Sequence, residues 1–527
     1  MSKELEYLAK RAATGLLDRR AFMGRAASLG VSTAMAGGLL SSAAYAAGPN
    51  KGGLIKAGLG GGESTNSLDP ATFASQVPFT FGRTWGDTLI EVGPTGDLVN
   101  ALAESVEATA DAKTWHFQIR KDVEFHNGKT MTAEDVLKTM QRHSGEDTKS
   151  GALGVMRAIE SMSADGDVFS LTLTDANADL PYLMADYHLI IQPNGGMDAP
   201  DAGVGTGPYK VVVNEPGVRY GGERFANHWN SERGHADQVE IIIINDATAR
   251  SAALQGGHVQ LMNRVEPKVA ELIGRLPGVT IQNVSGRGQY VFNMFNDTAP
   301  FDNLDLRMAL KLAIDREDIV EKVLRGYGTV GNDFPINAAY PLFSEEIEQR
   351  MYDPDRAAFH YQRSGHDGPI VLRTADGAFA GAVEAAQLFQ QSAAKAGINI
   401  EVKREPNDGY WSEVWNKQPF SASYWGGRPT QDQMYSTAYL STADWNDTNF
   451  FRPDFDAMLI EARGELDPAR RKEIYHDMGL MVRDEGGTII PMFNDFVDAS
   501  NEAISGYELD PNGEQMNGYS LVKTWVS

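Results

Sequence analysis

Three loops carry the residues of this chain most capable of holding a ligand. In the first, a short strand over 53–59 runs into Gly60-Gly-Gly-Glu-Ser-Thr-Asn-Ser-Leu-Asp-Pro70. This places Glu63 and Ser64 at a strand's carboxyl edge, where α/β folds bind ligands, although three glycines also suffice for a simple turn. In the second, a strand over 370–373 ends in Thr374-Ala-Asp-Gly-Ala-Phe379, ahead of a helix over 380–396. A helix N-terminus receives polar or anionic groups, and Asp376 and Phe379 stand beside it. In the third, Phe420-Ser-Ala-Ser-Tyr-Trp425 breaks into Gly-Gly-Arg-Pro429. Tyr424, Trp425, the bare backbone of Gly426 and Gly427, and the Arg428 guanidinium converge there. Trp411 and Trp415, just upstream, divide evenly between core packing and a ligand wall. An arginine fork suits carboxylate, phosphate or sulfonate through paired hydrogen bonds. The competing reading turns Arg428 into solvent or pairs it with Asp432.

None of these loops holds a reacting group. The sequence contains no GxSxG, no HExxH and no SxxK with its usual partners, and it has no cysteine. Ten histidines are scattered. Neither His228/His235 nor His360/His366 has i,i+4 spacing or a carboxylate cluster, so no metal site and no cofactor are expected. A binding protein is the first reading; a secreted enzyme is the alternative.

The 527 residues exceed what one core holds, so two or three domains are expected. Formal charge is −24. Residues 1–46 carry six Lys/Arg against three Asp/Glu, and removing them leaves −27. So acidic a surface argues against nucleic acid and anionic lipid as partners.

Those first 46 residues read as a targeting segment. Asp18-Arg-Arg-Ala-Phe-Met-Gly24 is a twin-arginine pattern, an uncharged Ala/Gly/Ser-rich run follows, and Ala44-Tyr-Ala46 offers small residues to a signal peptidase. Periplasmic location through twin-arginine export follows as an expectation, a retained N-terminal anchor being the alternative.

The elements that must position the loops are legible in part. Trp115, Phe117 and Ile119 alternate as one face of a half-buried strand. Thr132 and Asp135 form a capping box ahead of a helix carrying Val136, Leu137 and Met140. From Gln238 the chain reads strand, Asp246 cap, helix to Gln255 and Gly256-Gly257 stop. Gln289–Asn296 reads as a strand, followed by helices capped around Asn303 and Asp315. Ser285-Gly-Arg-Gly288 reads as an interdomain crossing. His116 and His126 fall among strand and turn residues and read as structural or exposed.

Gly203-Val-Gly-Thr-Gly-Pro-Tyr-Lys-Val-Val-Val213 joins two differently built halves of the N-terminal region. By itself it is a glycine-rich turn before a buried strand. Together with Asn227-His-Trp229 it resembles the "GTGPY … N-x-x-W" signature of family 5 solute-binding proteins, the peptide-, oligopeptide- and nickel-binding receptors of bacterial ABC importers. Ala101–Val136 and Pro300–Arg316 follow the same family's pattern. Where the family usually writes Gly-Glu/Asp-Ile/Val-Asp, this chain has Gly257-His-Val-Gln260 and lacks the customary acid.

The resemblance implies an α/β fold of the periplasmic binding protein type 2 clamshell kind: two mixed α/β lobes plus an extra subdomain, with a hinge of crossing strands. Its implied division is lobe I over 47–81, 203–287 and 487–527, an extra subdomain over 82–202, and lobe II over 288–486. It also implies a monomeric receptor that closes on a small-molecule ligand and hands it to transmembrane permease subunits served by cytoplasmic ATPases. Members resembling the dipeptide receptor place an Asp after the Trp-bearing strand and an Arg on the strand-to-helix loop. Here Arg428 stands in the first place and Asp376 in the second. This inversion disfavours a standard peptide and points to an acidic, peptide-like or amino-acid-derived solute, with Arg428 for its acid and Asp376 for a donor or cation. The same fold could serve a metal chelate or haem.

Overall fold

Two long strands, Val279–Met294 and Thr488–Asn501, run antiparallel through the middle of an eleven-stranded sheet. They divide their partners. Thr488–Asn501 pairs at its carboxyl end with Leu261–Met262, and the sheet continues through Leu54–Leu59, Gln238–Ile243, Arg219–Arg224 and Tyr209–Glu215. The other half of Val279–Met294 pairs with Phe420–Trp425, followed by Ile370–Thr374 and the edge strand Ile400–Arg404. Between the halves the register slips: Ser285 lies opposite Asp495, and Gln289 opposite Phe493. Such a bulge re-aims a strand, here where the chain passes from one half to the other.

This computed structural model describes residues 49–527 except 146, 178 and 466, together with positions 5, 8, 22 and 24–26. Arg19, Arg20 and the Ala44–Ala46 segment lie outside the described residues. No helix among the described residues is long and apolar enough to cross a membrane.

Local chemistry accounts for the elements. Ile370–Thr374 and Ile400–Arg404 pair in parallel around the helix Ala382–Ala394, the βαβ unit that the apolar runs require. Thr132 and Asp135 form their capping box at Ala133–Ser144, and Asp246 and Asp315 cap their helices by accepting from Ala249 and Asp318 amides. Gln260, standing where the family pattern has an acid, accepts the Lys56 amide with its Oε1 at 2.6 Å.

The buried side chains gather by chain segment. One cluster joins Ile55 and Leu59 to Tyr209, Ile241 and the carboxyl-terminal Leu521 and Val522. A second lies within 89–191, including Phe117, Phe169 and Leu189. Two more fill the region from Val291 to Phe493. The glycine signature belongs to this scaffold. Thr206 Oγ1 and Trp229 Nε1 both donate to Asp87 Oδ2, at 2.8 and 3.0 Å. Burial alone would raise the Asp87 carboxyl, but the His228 ring 3.6 Å away and hydrogen bonds from Trp229 and Thr206 hold it at about 2. His126 bonds the Gly207 carbonyl at 2.8 Å.

Candidate functional site

A cleft of about 1150 Å³, its open mouth included, lies between the two halves of the sheet. That size suits a small molecule. On one side stand Phe79, Arg83, Asp186 and Tyr187, with Asn512–Glu514 and Asn517 from the carboxyl terminus. On the other stand Trp411, Trp415, Tyr424–Pro429, Gln433 and Trp445.

The third loop enters the cleft because of strand order. Phe420–Trp425 lies directly beside the long crossing strand, Gln289 pairing with Trp425, so the chain leaves the sheet at the crossing point. Gly427 makes the exit possible. Its φ is +83°, and a Cβ there would stand 2.4 Å from that of Arg287. Arg428 then turns inward. Its amide donates to the Tyr340 hydroxyl at 3.0 Å, and Nη1 to the Gly427 carbonyl at 2.7 Å. The guanidinium carbon lies 5.6 Å from the Trp425 ring centroid, and Tyr187 bonds the guanidinium from the opposite wall. Nε is buried without a partner. Asp432 is taken instead by Arg463, whose Nε lies 2.5 Å from Oδ1.

Six of the ten sequence-nominated residues line the cleft: Arg428, Trp425, Tyr424, Gly426, Gly427 and Trp411. The other four do not. Asp376 lies one strand farther out, where Thr374 pairs with Arg404; it is exposed and forms its ion pair with Arg404. The expectation of a second cleft pole at Asp376 is thereby corrected. Phe379 is core, stacked on Tyr290 at 4.3 Å. Glu63 and Ser64 clasp the far half of the molecule instead of facing the cavity. Glu63 Oε1 accepts the Trp411 amide at 3.3 Å, and Ser64 Oγ donates to Asp408 at 3.2 Å. Burial raises the Glu63 carboxyl. These two residues therefore fix Trp411, which does line the wall.

No local signal pointed to the facing wall. Phe79 stacks on Tyr187 at 3.9 Å, extending a chain of rings through His188 to Trp445, Trp415 and Trp425. Asp186 is 9% exposed. His188 Nδ1 lies 2.6 Å from Asp186 Oδ1, and its Nε2 lies 2.9 Å from the Phe73 carbonyl, so an oxygen stands at each ring nitrogen. Burial opposes the Asp186 charge, but His188 and Arg428 hold that carboxyl well below the usual range. Glu514 is likewise matched: Arg264 Nε donates at 2.9 Å and Asn263 at 3.0 Å. Arg83 reaches the Ala185 carbonyl at 3.0 Å and Thr88 Oγ1 at 3.3 Å, both neutral partners. Among the described residues, no group of three or more His, Asp or Glu could hold a metal ion.

A cleft walled by aromatic rings, with few polar groups, between two halves joined by crossing strands defines a two-lobed ligand-binding protein of the type 2 periplasmic class. The profile described as "Bacterial extracellular solute-binding proteins, family 5 Middle" matches residues 97–447, and the chain belongs to that family. It is a solute-binding protein of the ABC-importer kind. Heme-binding protein A of Haemophilus influenzae (strain Rd) is 26% identical over 500 residues, covering 86% of this chain and 87% of that protein. Among solved structures, the periplasmic binding protein DppA from Helicobacter pylori, in complex with peptide STSA, superposes with a TM-score of 0.83. The two are 20% identical, over 90% of this chain and 98% of that one. AgaA from A. tumefaciens R10, in complex with agropinic acid, gives a TM-score of 0.82 at 22% identity, over 90% and 99% of the two chains.

Proposed function

We propose that this protein is a monomeric periplasmic receptor that captures a small acidic, amino-acid- or peptide-derived solute and delivers it unchanged to an ABC permease. Export would use the twin-arginine segment around Arg19 and Arg20. Lobe I (47–81, 203–287 and 487–527), carrying the subdomain 82–202, would close on lobe II (288–486) about Ser285–Gln289. The observation that carries the reading is Arg428, a guanidinium facing the cleft with a buried, unpartnered Nε. The balance of the walls supports it. Glu514 is matched by Arg264 and Asp186 lies in the field of Arg428, whereas Arg83 bonds only neutral groups and the Arg428 Nε has no partner. The cleft therefore carries surplus positive charge inside a strongly acidic protein, which favours an anionic solute.

The test is calorimetry of the purified protein against dipeptides, glutathione, agropinic acid and haem. Haem belongs in the set because one relative is named for binding it and because indole walls would accept a porphyrin face. Truncating one partner of a desolvated charged contact costs about 2–5 kcal/mol, roughly 30- to 4,000-fold in affinity. Arg428→Ala and Arg428→Lys should both weaken the bound acid by that order and leave the unliganded melting temperature nearly unchanged. Binding within threefold of the parent would place the anionic pole elsewhere.

A further inference from the structure

Resting on that reading of the cleft, we infer that the solute has no free ammonium group: it is an anionic amino-acid or peptide derivative whose amine is acylated or alkylated, read beside its acid by the neutral side chain of Gln433.

Three observations lead there. First, no acid in the cleft wall is left over. An ammonium needs a desolvated anion as partner, and the lining acids are Asp186 and Glu514. Asp186 already serves His188 through two bonds, at 2.9 Å from its amide and 2.6 Å from its ring, and it feels the charge of Arg428. Glu514 is held by Arg264 and Asn263. A further cation at either site would meet the positive charge of Arg428 or Arg264 already in place. Second, the acid expected for this role from the second loop lies outside, paired with Arg404. Third, besides Arg428 itself, the cleft-lining residue with an unpartnered buried polar atom is a neutral one. Gln433 lines the cleft, is 3% exposed, and its Oε1 has no hydrogen bond among the described residues. A buried amide oxygen without a donor is costly unless a ligand supplies one. An amide N–H on the carbon next to a carboxylate supplies it, since the acid would occupy Arg428 while the N–H reaches Gln433.

The position of Gln433 supports the same polarity. It sits in the first turn of the helix Gln431–Ala438, whose N-cap Thr430 accepts the Gln433 amide at 3.2 Å. The positive end of that helix adds to Arg428 in favouring an anion and in repelling a cation. The indole faces of Trp425, Trp415 and Trp445 then suit an uncharged body.

The experiment is calorimetry of the purified protein with three matched pairs: Ala-Ala and N-acetyl-Ala-Ala, Gly-Phe and N-acetyl-Gly-Phe, glutamate and N-acetylglutamate. At least one N-acetyl compound should bind, and its free-amine partner should bind at least tenfold more weakly. Gln433→Glu should narrow or reverse that ratio by supplying an acid for the ammonium, and a helix first turn tolerates the change. Gln433→Ala should weaken the N-acetyl compound without a matching loss for the free amine. A free amine bound as tightly as its acetylated partner would overturn the inference. So would binding of a free amine that disappears in Asp186→Asn, or the absence of binding by every acetylated compound. The anionic pole is tested separately: Arg428→Ala measures it, whereas the ratio within each pair measures the amine.

Discussion

Asp447 lies behind the indole wall and never lines the cleft, yet it sets the positions of two rings that do. Trp415 Nε1 donates to its Oδ2 at 2.8 Å, and Trp425 and Asn293 bond the same carboxyl. It is 3% exposed, and no cation pairs with it among the described residues. Burial raises it from 3.8 to about 7 against the pull of those donors. Between pH 3.8 and 7 the folded state holds a proton that the unfolded state has lost, so this group's contribution is full below about pH 4 and disappears as pH rises through 7. Asp447→Asn removes the titration. Relative to the parent, the variant should therefore gain stability between pH 4.5 and 7.5, by on the order of 3 kcal/mol, as read by chemical denaturation at the two pH values. A pH-independent difference between the two proteins would show that Asp447 does not titrate in that window. Nothing in the run Trp445-Asn-Asp447 distinguishes this acid from a surface one, because its burial depends on strands far away in sequence.

At the scale of elements, much of the fold was legible and the facing of its loops was not. Capping pairs, the alternation of Trp115 and Phe117, and the βαβ spacing are local signals, and they located their strands and helices within a few residues. Whether a loop enters the cleft depends on strand order. Arg428 follows the strand next to the crossing pair, whereas Asp376 follows the strand beyond it, and both had the same local appearance. The C-terminal wall at Asn512–Asn517 was hidden for another reason. Its shape comes from Gln515, Met516 and Asn517, all with φ near +55°, which no glycine announces. Asp498 and Met262 hold it by bonds to Gln515 at 2.6 and 3.2 Å. The glycine signature, by contrast, has a clear structural cause. Neither Gly205 nor Gly207 has positive φ; both lie against the Trp85–Gly86 backbone, where a Cβ at 207 would stand 2.5 Å from the Trp85 carbonyl carbon. Gly207→Ala should cost about 1–3 kcal/mol through overpacking and lower the melting temperature by several degrees. Ligand affinity, measured well below that temperature, should change little. A variant that melts with the parent would mean that the strand and the Trp85 turn separate freely.

For the whole molecule, function depends on how firmly the two halves meet without a solute. Besides Glu63 with Trp411, Tyr187 with Arg428 and the His188–Trp445 rings, contacts across the cleft include Ser64 with Asp408, Arg157 with the Thr442 carbonyl, Arg264 with the Tyr424 ring, and Arg471 with Asp179. The last is the strongest candidate for a latch. Its N–O distance is 2.6 Å, both side chains are about 15% exposed, and the Arg471 guanidinium also reaches the Tyr475 hydroxyl at 3.2 Å. Asp179 belongs to the segment that carries Tyr187, and Arg471 to the helix Pro468–Glu485 on the opposite side. Such interfaces between domains resemble transient protein contacts, so motion is the default, and a single charged hydrogen bond is worth about 1.5–3 kcal/mol. Removing it with Asp179→Asn should shift the unliganded open-to-closed ratio roughly 10- to 140-fold toward open. Where the closed form is the minor unliganded state, solute affinity falls by the same factor, because capture then draws on a rarer competent population. Where the closed form is the major unliganded state, the shift should instead be visible by small-angle scattering as a larger radius of gyration without solute and an unchanged one at saturation. Equal radii for variant and parent in both states, together with unchanged solute affinity, would show that closure is governed by the cleft itself, through Arg428 and Tyr187, and that the Asp179–Arg471 pair only decorates the rim.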